Sequence, residues 1–168
     1  MKTIVEQIAD LDPISIEGKE YTGSYLAMLV SLRESPEEEA QRTIQLIAEM
    51  GRLHAAAQRS LRNAETEYRI WRDDIVLGMT NDIERAVEAG FSCSVDPGVD
   101  SRGKPKPAKL PSIAQTEAFL RGLPEYEDYN KMIAEREEAV ATILAVYEAA
   151  KQRTWASRII SDYHHDHK

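Results

Sequence analysis

The sequence has a single cysteine, Cys93, and no long run of apolar residues. One cysteine excludes an intramolecular disulfide and a cysteine-based metal site, which fits the reducing cytoplasm. No stretch approaches the roughly 20 apolar residues of a membrane helix. The first residues, MKTIVEQIADLD, carry acids within their apolar stretch and do not resemble a secretory signal. We therefore predict a cytoplasmic protein without membrane contact.

Catalytic motifs are also missing. The chain has no glycine-rich phosphate loop after a strand, no G-x-S-x-G and no H-E-x-x-H. Cys93 has no histidine near it in sequence, and the carboxylate runs at 37–39 and 135–138 are typical of helix starts and solvated faces. The histidines of 163–168 could hold a metal ion loosely, with a frayed polar terminus as the alternative. We predict no catalytic residue, no cofactor and no metal, and hence a protein that is not an enzyme.

Aromatic residues make up 7% of the chain and charged residues 30%, with a net charge of −8. Alanine, glutamate, arginine and leucine dominate, which is typical of a helical protein with much exposed surface. The acidic balance argues against a generally basic nucleic-acid binder. Any contact with a nucleic acid must come from a local basic patch, repeated by oligomerisation.

Hydrophobic periodicity predicts one long helix that starts at Ser35-Pro36 and runs to about Leu77. Two lines of apolar residues recur at heptad intervals, as in a coiled coil. The first line is Ile47, Leu61, Tyr68 and Ile75, and the second is Met50, Ala57, Ala64 and Trp71. A helix of about 60 Å must pack against another long helix. Gly51 is a weak point at which it could break.

A second long helix is predicted to start at Leu123-Pro124. Its apolar stripe comprises Ile133, Val140, Ile143, Leu144, Tyr147 and Ala150, continued by Trp155 and Ile159. Ser112 and Gln115 form the capping box of a short helix before it. The fold class is therefore all-α, with long helices in an antiparallel hairpin or coiled-coil-like bundle. Its parts are an N-terminal arm (1–23) with little regular structure, a helical half (24–90), a flexible linker loop (91–111), a C-terminal assembly region (112–161) and a polar tail (162–168).

Arginines form the candidate nucleic-acid-binding surface. Arg52, Arg59, Arg62 and Arg69 fall on one stripe of the first long helix, roughly opposite its apolar seam. Such a stripe suits an anionic partner, and an ordinary charged surface is the alternative. Tyr68 and Trp71, beside Arg69 and Arg72, could stack on bases or pack in the core.

The loop between the helical halves is the densest cationic segment. It carries Arg102, Lys104, Lys106 and Lys109 and has no acid between 101 and 109. Phosphates would be its natural partner, through salt-sensitive contacts without sequence preference. A soluble spacer is the alternative interpretation.

Two segments resemble the UvsY-like family of phage recombination mediators. They are LHAAAQRSLRNAETEYRIWRDD (53–74) and LPEYEDYNKMIAEREEAVATILAVYEAAKQR (123–153). The resemblance covers the pattern of 21–160 and implies a homo-oligomer, expected as a ring, in the host-cell cytoplasm. It also implies single-stranded DNA binding and loading of a RecA-type recombinase onto strands coated by single-strand-binding protein. Arg59, Arg62, Arg69 and Arg72 match the basic segment of the family, whereas the acidic net charge departs from it.

The apolar seam is the predicted assembly element, within one chain or between chains. The residues assigned to oligomerisation are Ile47, Met50, Leu61, Tyr68, Trp71, Ile75, Ile133, Val140, Ile143 and Tyr147. The acidic charge favours a second hypothesis, in which the chain is a helical inhibitor or adaptor of the phage anti-defence or scaffold type. Such a protein would bind another protein without touching DNA.

Overall fold

A computed structural model describes residues 2–31, 36–93, 98–104 and 109–166, with the backbone alone for 36–38, 40–41 and 153–166. This part of the chain is mostly helical, so the all-α prediction is confirmed. The elements are α1 Ile4–Ala9, β1 Ile14–Ile16, β2 Lys19–Tyr21, α2 Gly23–Val30, α3 Pro36–Asn81, α4 Ile83–Glu88, α5 Ile113–Leu120 and α6 Pro124–Asp166.

The N-terminal segment is ordered secondary structure, and the prediction of an arm with little regular structure is wrong. Thr3 and Glu6 form a capping box that starts α1. β1 and β2 then pair as an antiparallel hairpin, which turns through Glu17 and Gly18 at positive φ. The alternation of Ile14 and Ile16 puts both side chains on one face, where both are buried.

The start of α2 packs tightly against the end of α1. Thr22 caps α2 by accepting a hydrogen bond from the Tyr25 amide. Gly23 is buried beside the backbone carbonyls of Ile8 and Leu11, and a β-carbon there would lie 2.6 Å from each oxygen. Only glycine allows the two helices to approach this closely.

The chain divides into two compact units. Unit 1 comprises Met1–Asn63 and Ile133–Lys168, and unit 2 comprises Ala64–Met132. Unit 1 thus takes the first part of α3 with the last part of α6, and unit 2 takes the remainder of both. This is the order in which antiparallel neighbours pair, as predicted for the two long helices.

The core of unit 1 brings α1, the hairpin and α2 together with α3 and α6. Its largest fully buried side chains are Leu26, Met50, Ile143 and Val146. On α3 the buried residues are Leu46, Met50, Leu53 and Ala57, and on α6 they are Ala139, Ile143, Val146 and Ala150. Spacings of three and four residues keep each set on one helix face.

The predicted apolar lines agree with this core only in part. The second line is confirmed by the burial of Met50, Ala57 and Ala64, whereas Ile47 of the first line is half-buried and Leu46 is buried instead. On α6 the prediction missed Val146 and wrongly included Leu144, which is 41% exposed. Trp155 and Ile159 have side chains outside the described part.

Several helix boundaries differ from the predictions. α3 continues through Gly51 without a break and ends at Asn81, beyond the expected Leu77. α6 extends to Asp166, so most of the tail expected from 162 onward is helical. The predicted cap at Ser35 lies outside the described residues. The capping box of Ser112 and Gln115 at the start of α5 is confirmed.

The burial of a side chain decides whether a residue assigned to oligomerisation could contact a second copy of the chain. Met50 and Ile143 are completely buried inside unit 1 of a single chain, so their side chains are not available to a second copy. These two residues therefore pack within one chain, which is one of the two predicted alternatives. Ile47, Leu61, Ile75, Ile133, Val140 and Tyr147 are half-buried.

Candidate nucleic-acid interface

Unit 2 holds a cluster of four aromatic rings, which we call the ring cluster: Tyr68, Trp71, Tyr126 and Tyr129. The first two lie three residues apart on α3 and the last two three apart on α6, so each pair shares a helix face. The Trp71 and Tyr129 ring centroids are 5.0 Å apart, and the Tyr68 centroid is 5.8 Å from Tyr129 and 6.3 Å from Tyr126. All four side chains are half-buried. The two predicted roles of Tyr68 and Trp71 are therefore compatible, because the rings pack together and stay accessible.

A shallow pocket of about 110 Å³, open to solvent, adjoins the ring cluster. It is lined by Tyr68, Arg72, Glu117, Leu120, Arg121 and Tyr126. The last turns of α5 supply Glu117 and Leu120, and Arg121 caps that helix. Aromatic, anionic and cationic side chains therefore meet in one depression of unit 2.

Arg72 is engaged by two carboxylates. Its Nη2 donates to Oε1 of Glu117, and its Nη1 donates to Oδ1 of Asp73 at 2.9 Å. The hydrogen bond with Glu117 is the largest cause that raises the pKa of the Arg72 guanidinium above its ordinary value. The charge assigned to phosphate binding at Arg72 is thus already balanced within unit 2, because both neighbours are acids.

Two exposed arginines are associated with the ring cluster. Arg69 follows Tyr68 in sequence, and Arg121 lines the pocket. Neither forms an ion pair with any residue in the described ranges. Arg69 belongs to the predicted arginine stripe. Arg121 was not predicted, since a lone cation between a short helix and Gly122 carries no periodic signal.

The other predicted arginines of α3 lie in unit 1. Arg52, Arg59 and Arg62 are exposed on α3. Arg59 donates to Oε1 of Glu17 in the hairpin turn, with Nη2 at 3.3 Å from that oxygen. A partner of opposite charge weakens the attraction of Arg59 for a phosphate.

The basic loop folds around an acid where it is described. The Asp100 Oδ1 accepts hydrogen bonds from the amides of Arg102 and Lys104, at 2.8 and 2.9 Å. Gly103 completes the turn at a φ of 72°. Arg102, Lys104 and Lys109 are exposed, and Lys106 lies outside the described residues. The carboxylate of Asp100 lowers the positive potential of this turn.

No known protein family, curated protein or solved structure matches the chain. The UvsY-like resemblance therefore rests on the sequence pattern. Among the residues that the structure describes, no helix combines the length and apolar composition that crossing a bilayer requires. The same residues contain no group of three or more histidine, cysteine, aspartate or glutamate side chains placed to hold a metal ion. The side chains of His164 and His165 lie outside that part.

Proposed function

We propose that this chain binds single-stranded DNA through the ring cluster of unit 2 and acts as a helical accessory protein of recombination. One observation carries the proposal: four accessible rings are grouped beside a pocket that Arg121 lines, and neither Arg121 nor Arg69, which follows Tyr68 in sequence, has an acidic partner among the described residues. Proteins that hold single strands combine aromatic platforms for the bases with cations for the backbone.

Base stacking and phosphate contacts together predict a modest affinity of each chain for single-stranded DNA. Stacking of one base on an aromatic side chain contributes about 1–3 kcal/mol and depends little on sequence. Two arginines give two phosphate contacts, and the acidic excess of the whole chain opposes them. A homo-oligomer, as the UvsY-like resemblance implies, would multiply these weak sites along one strand.

The first test is a titration of a fluorescent thymine strand, followed by anisotropy at about 50 to 200 mM salt. If Arg69 and Arg121 contact two phosphates, the slope of log K against log salt is about −1.4 per chain, since each phosphate contributes about −0.7. The Arg69→Gln, Arg121→Gln double variant should bind more weakly and lose this slope. Arg85→Gln is the matched control, because Arg85 is exposed on α4 and does not line the pocket.

The comparison of these variants distinguishes binding at this surface from nonspecific electrostatic attraction. The Arg121→Gln single variant removes the same charge as the Arg85→Gln control. Equal weakening by these two variants would show that total charge, and not this surface, governs binding. No binding at the lowest salt would remove single-stranded DNA as the ligand.

The recombination role is the finer part of the proposal and rests on the UvsY-like pattern. A RecA-type recombinase should hydrolyse ATP faster on a strand coated by single-strand-binding protein when this protein is added. The double variant at Arg69 and Arg121 should stimulate it less. Equal rates with and without the wild-type protein would leave a strand-binding protein that is not a mediator.

A protein-binding adaptor is the second candidate, and exposed apolar residues of unit 2 favour it. Ile70 and Leu77 lie seven residues apart on α3 and are 64% and 58% exposed. Large apolar side chains on one helix face mark protein-binding surfaces. If this face joins copies of the chain, Ile70→Gln with Leu77→Gln should lower the mass measured by light scattering. An unchanged mass would show that this face does not join copies of the chain. The face would then bind another protein or lie in solvent.

A further inference from the structure

The pocket beside the ring cluster contains the carboxylate of Glu117, and a hydrogen bond holds one of its two oxygens. Oε1 of Glu117 accepts the hydrogen bond from Arg72, whereas Oε2 accepts none from any residue in the described ranges. The Glu117 side chain is 37% exposed, so a ligand in the pocket can reach it. Neither strand binding by stacking nor phosphate contacts use this group.

We propose that the pocket receives a guanine base, carried by the bound strand, whose donor edge Glu117 recognises. The proposal rests on the proposed function, because it names the base that strand binding brings to this pocket. Guanine has two adjacent donors on its Watson–Crick edge, N1–H and the N2 amino group, and they match the two oxygens of one carboxylate. Recognition of an unstacked base through this edge is how proteins read single strands.

The remaining bases fit a carboxylate less well. Adenine and cytosine present one amino donor next to a ring nitrogen acceptor, and thymine presents one N–H between two carbonyl acceptors. Each acceptor would face the negative charge of Glu117 without a hydrogen bond, and an unpaired polar contact of this kind is costly. The carboxylate therefore selects among bases by repulsion as well as attraction.

The other lining residues suit the same ligand. Tyr68 and Tyr126 provide aromatic surface for the face of the base, and Arg121 provides a cation for its phosphate. Arg72 acts as a positioning residue, since its hydrogen bond restrains the Glu117 side chain before the ligand arrives. A restrained side chain loses less conformational freedom on binding.

The test compares thymine strands that carry spaced guanine, inosine, adenine or cytosine. Inosine keeps N1–H and lacks the N2 amino group, so it removes one of the two hydrogen bonds without any change in the protein. We expect the guanine strand to bind about tenfold more tightly than the others, with inosine intermediate. Glu117→Gln should abolish the preference and still bind all strands, and the exposed Glu88→Gln on α4 should keep it.

Guanosine monophosphate alone distinguishes a strand guanine from a free nucleotide. Strands that bind equally well with guanine and inosine would overturn the guanine pocket and leave the proposed function standing. If no strand binds, but the free nucleotide binds and Glu117→Gln weakens it, the proposed function fails and the pocket remains. If neither ligand binds, both proposals are wrong. The inosine comparison uses the wild-type protein alone, so it tests the guanine pocket even if Glu117→Gln prevents folding.

Discussion

Gly23 offers a direct test of how the N-terminal segment packs in unit 1. A β-carbon at this position would lie 2.6 Å from the carbonyl oxygens of Ile8 and Leu11, and 2.8 Å from that of Ala9. These oxygens belong to the backbone at the end of α1, so a rotamer change cannot relieve the overlap. Overpacking of this kind costs about 1–3 kcal/mol, and three backbone contacts place Gly23→Ala near 3 kcal/mol. For a protein of this size that lowers the melting temperature by about 6–12 °C.

Gly51→Ala is the matched control. Gly51 lies inside α3, and a β-carbon there would have no heavy atom within 4 Å. Alanine should therefore raise stability by about 1 kcal/mol, because glycine is the poorer helix former. Thermal unfolding followed by circular dichroism measures both variants. A Gly23→Ala protein that melts within about 2 °C of the wild type would refute the close packing of α1 on α2.

Two further predictions concern unit 1. In urea unfolding, Ile143→Ala should lower the free energy of unfolding by about 2–5 kcal/mol, because Ile143 is fully buried. Leu144→Ala should lower it by less than about 1 kcal/mol, because Leu144 is 41% exposed. Burial, the largest cause, and the hydrogen bond to Glu49 raise the pKa of the Tyr25 hydroxyl above 10.0. Its contribution to stability is thus present below about pH 10 and is lost as the pH rises through the folded pKa. Above pH 10, the urea midpoint of wild type should fall more steeply than that of Tyr25→Phe.

The sequence was sufficient for the long helices, for the start of α6 and for the cap of α5. Pro124 starts α6 and Ser112 starts α5 because these signals act locally, within one turn of the helix. Periodicity also placed Met50, Ala57 and Ile143 in the core. It could not choose between Leu46 and Ile47, because which neighbour is buried depends on what packs against α3.

The candidate site was predictable in its rings more than in its charges. Tyr68 and Trp71 stood out by their heptad positions, but their partners on α6 depend on tertiary register. Arg72 looked like a phosphate ligand, and its ion pair with Glu117, 45 residues away, is a long-range contact. Helical spacing within one segment carries no information on such pairs.

The central claim, that bases stack on the ring cluster, is tested most directly through Trp71 fluorescence. The chain has two tryptophans, so Trp155→Phe leaves Trp71 as the sole tryptophan emitter. We expect single-stranded DNA to quench this emission to a saturable end point, with weaker binding as salt rises. Adding Arg69→Gln and Arg121→Gln should weaken the affinity and keep the same end point. Binding seen by anisotropy without any change in Trp71 emission would contradict the account.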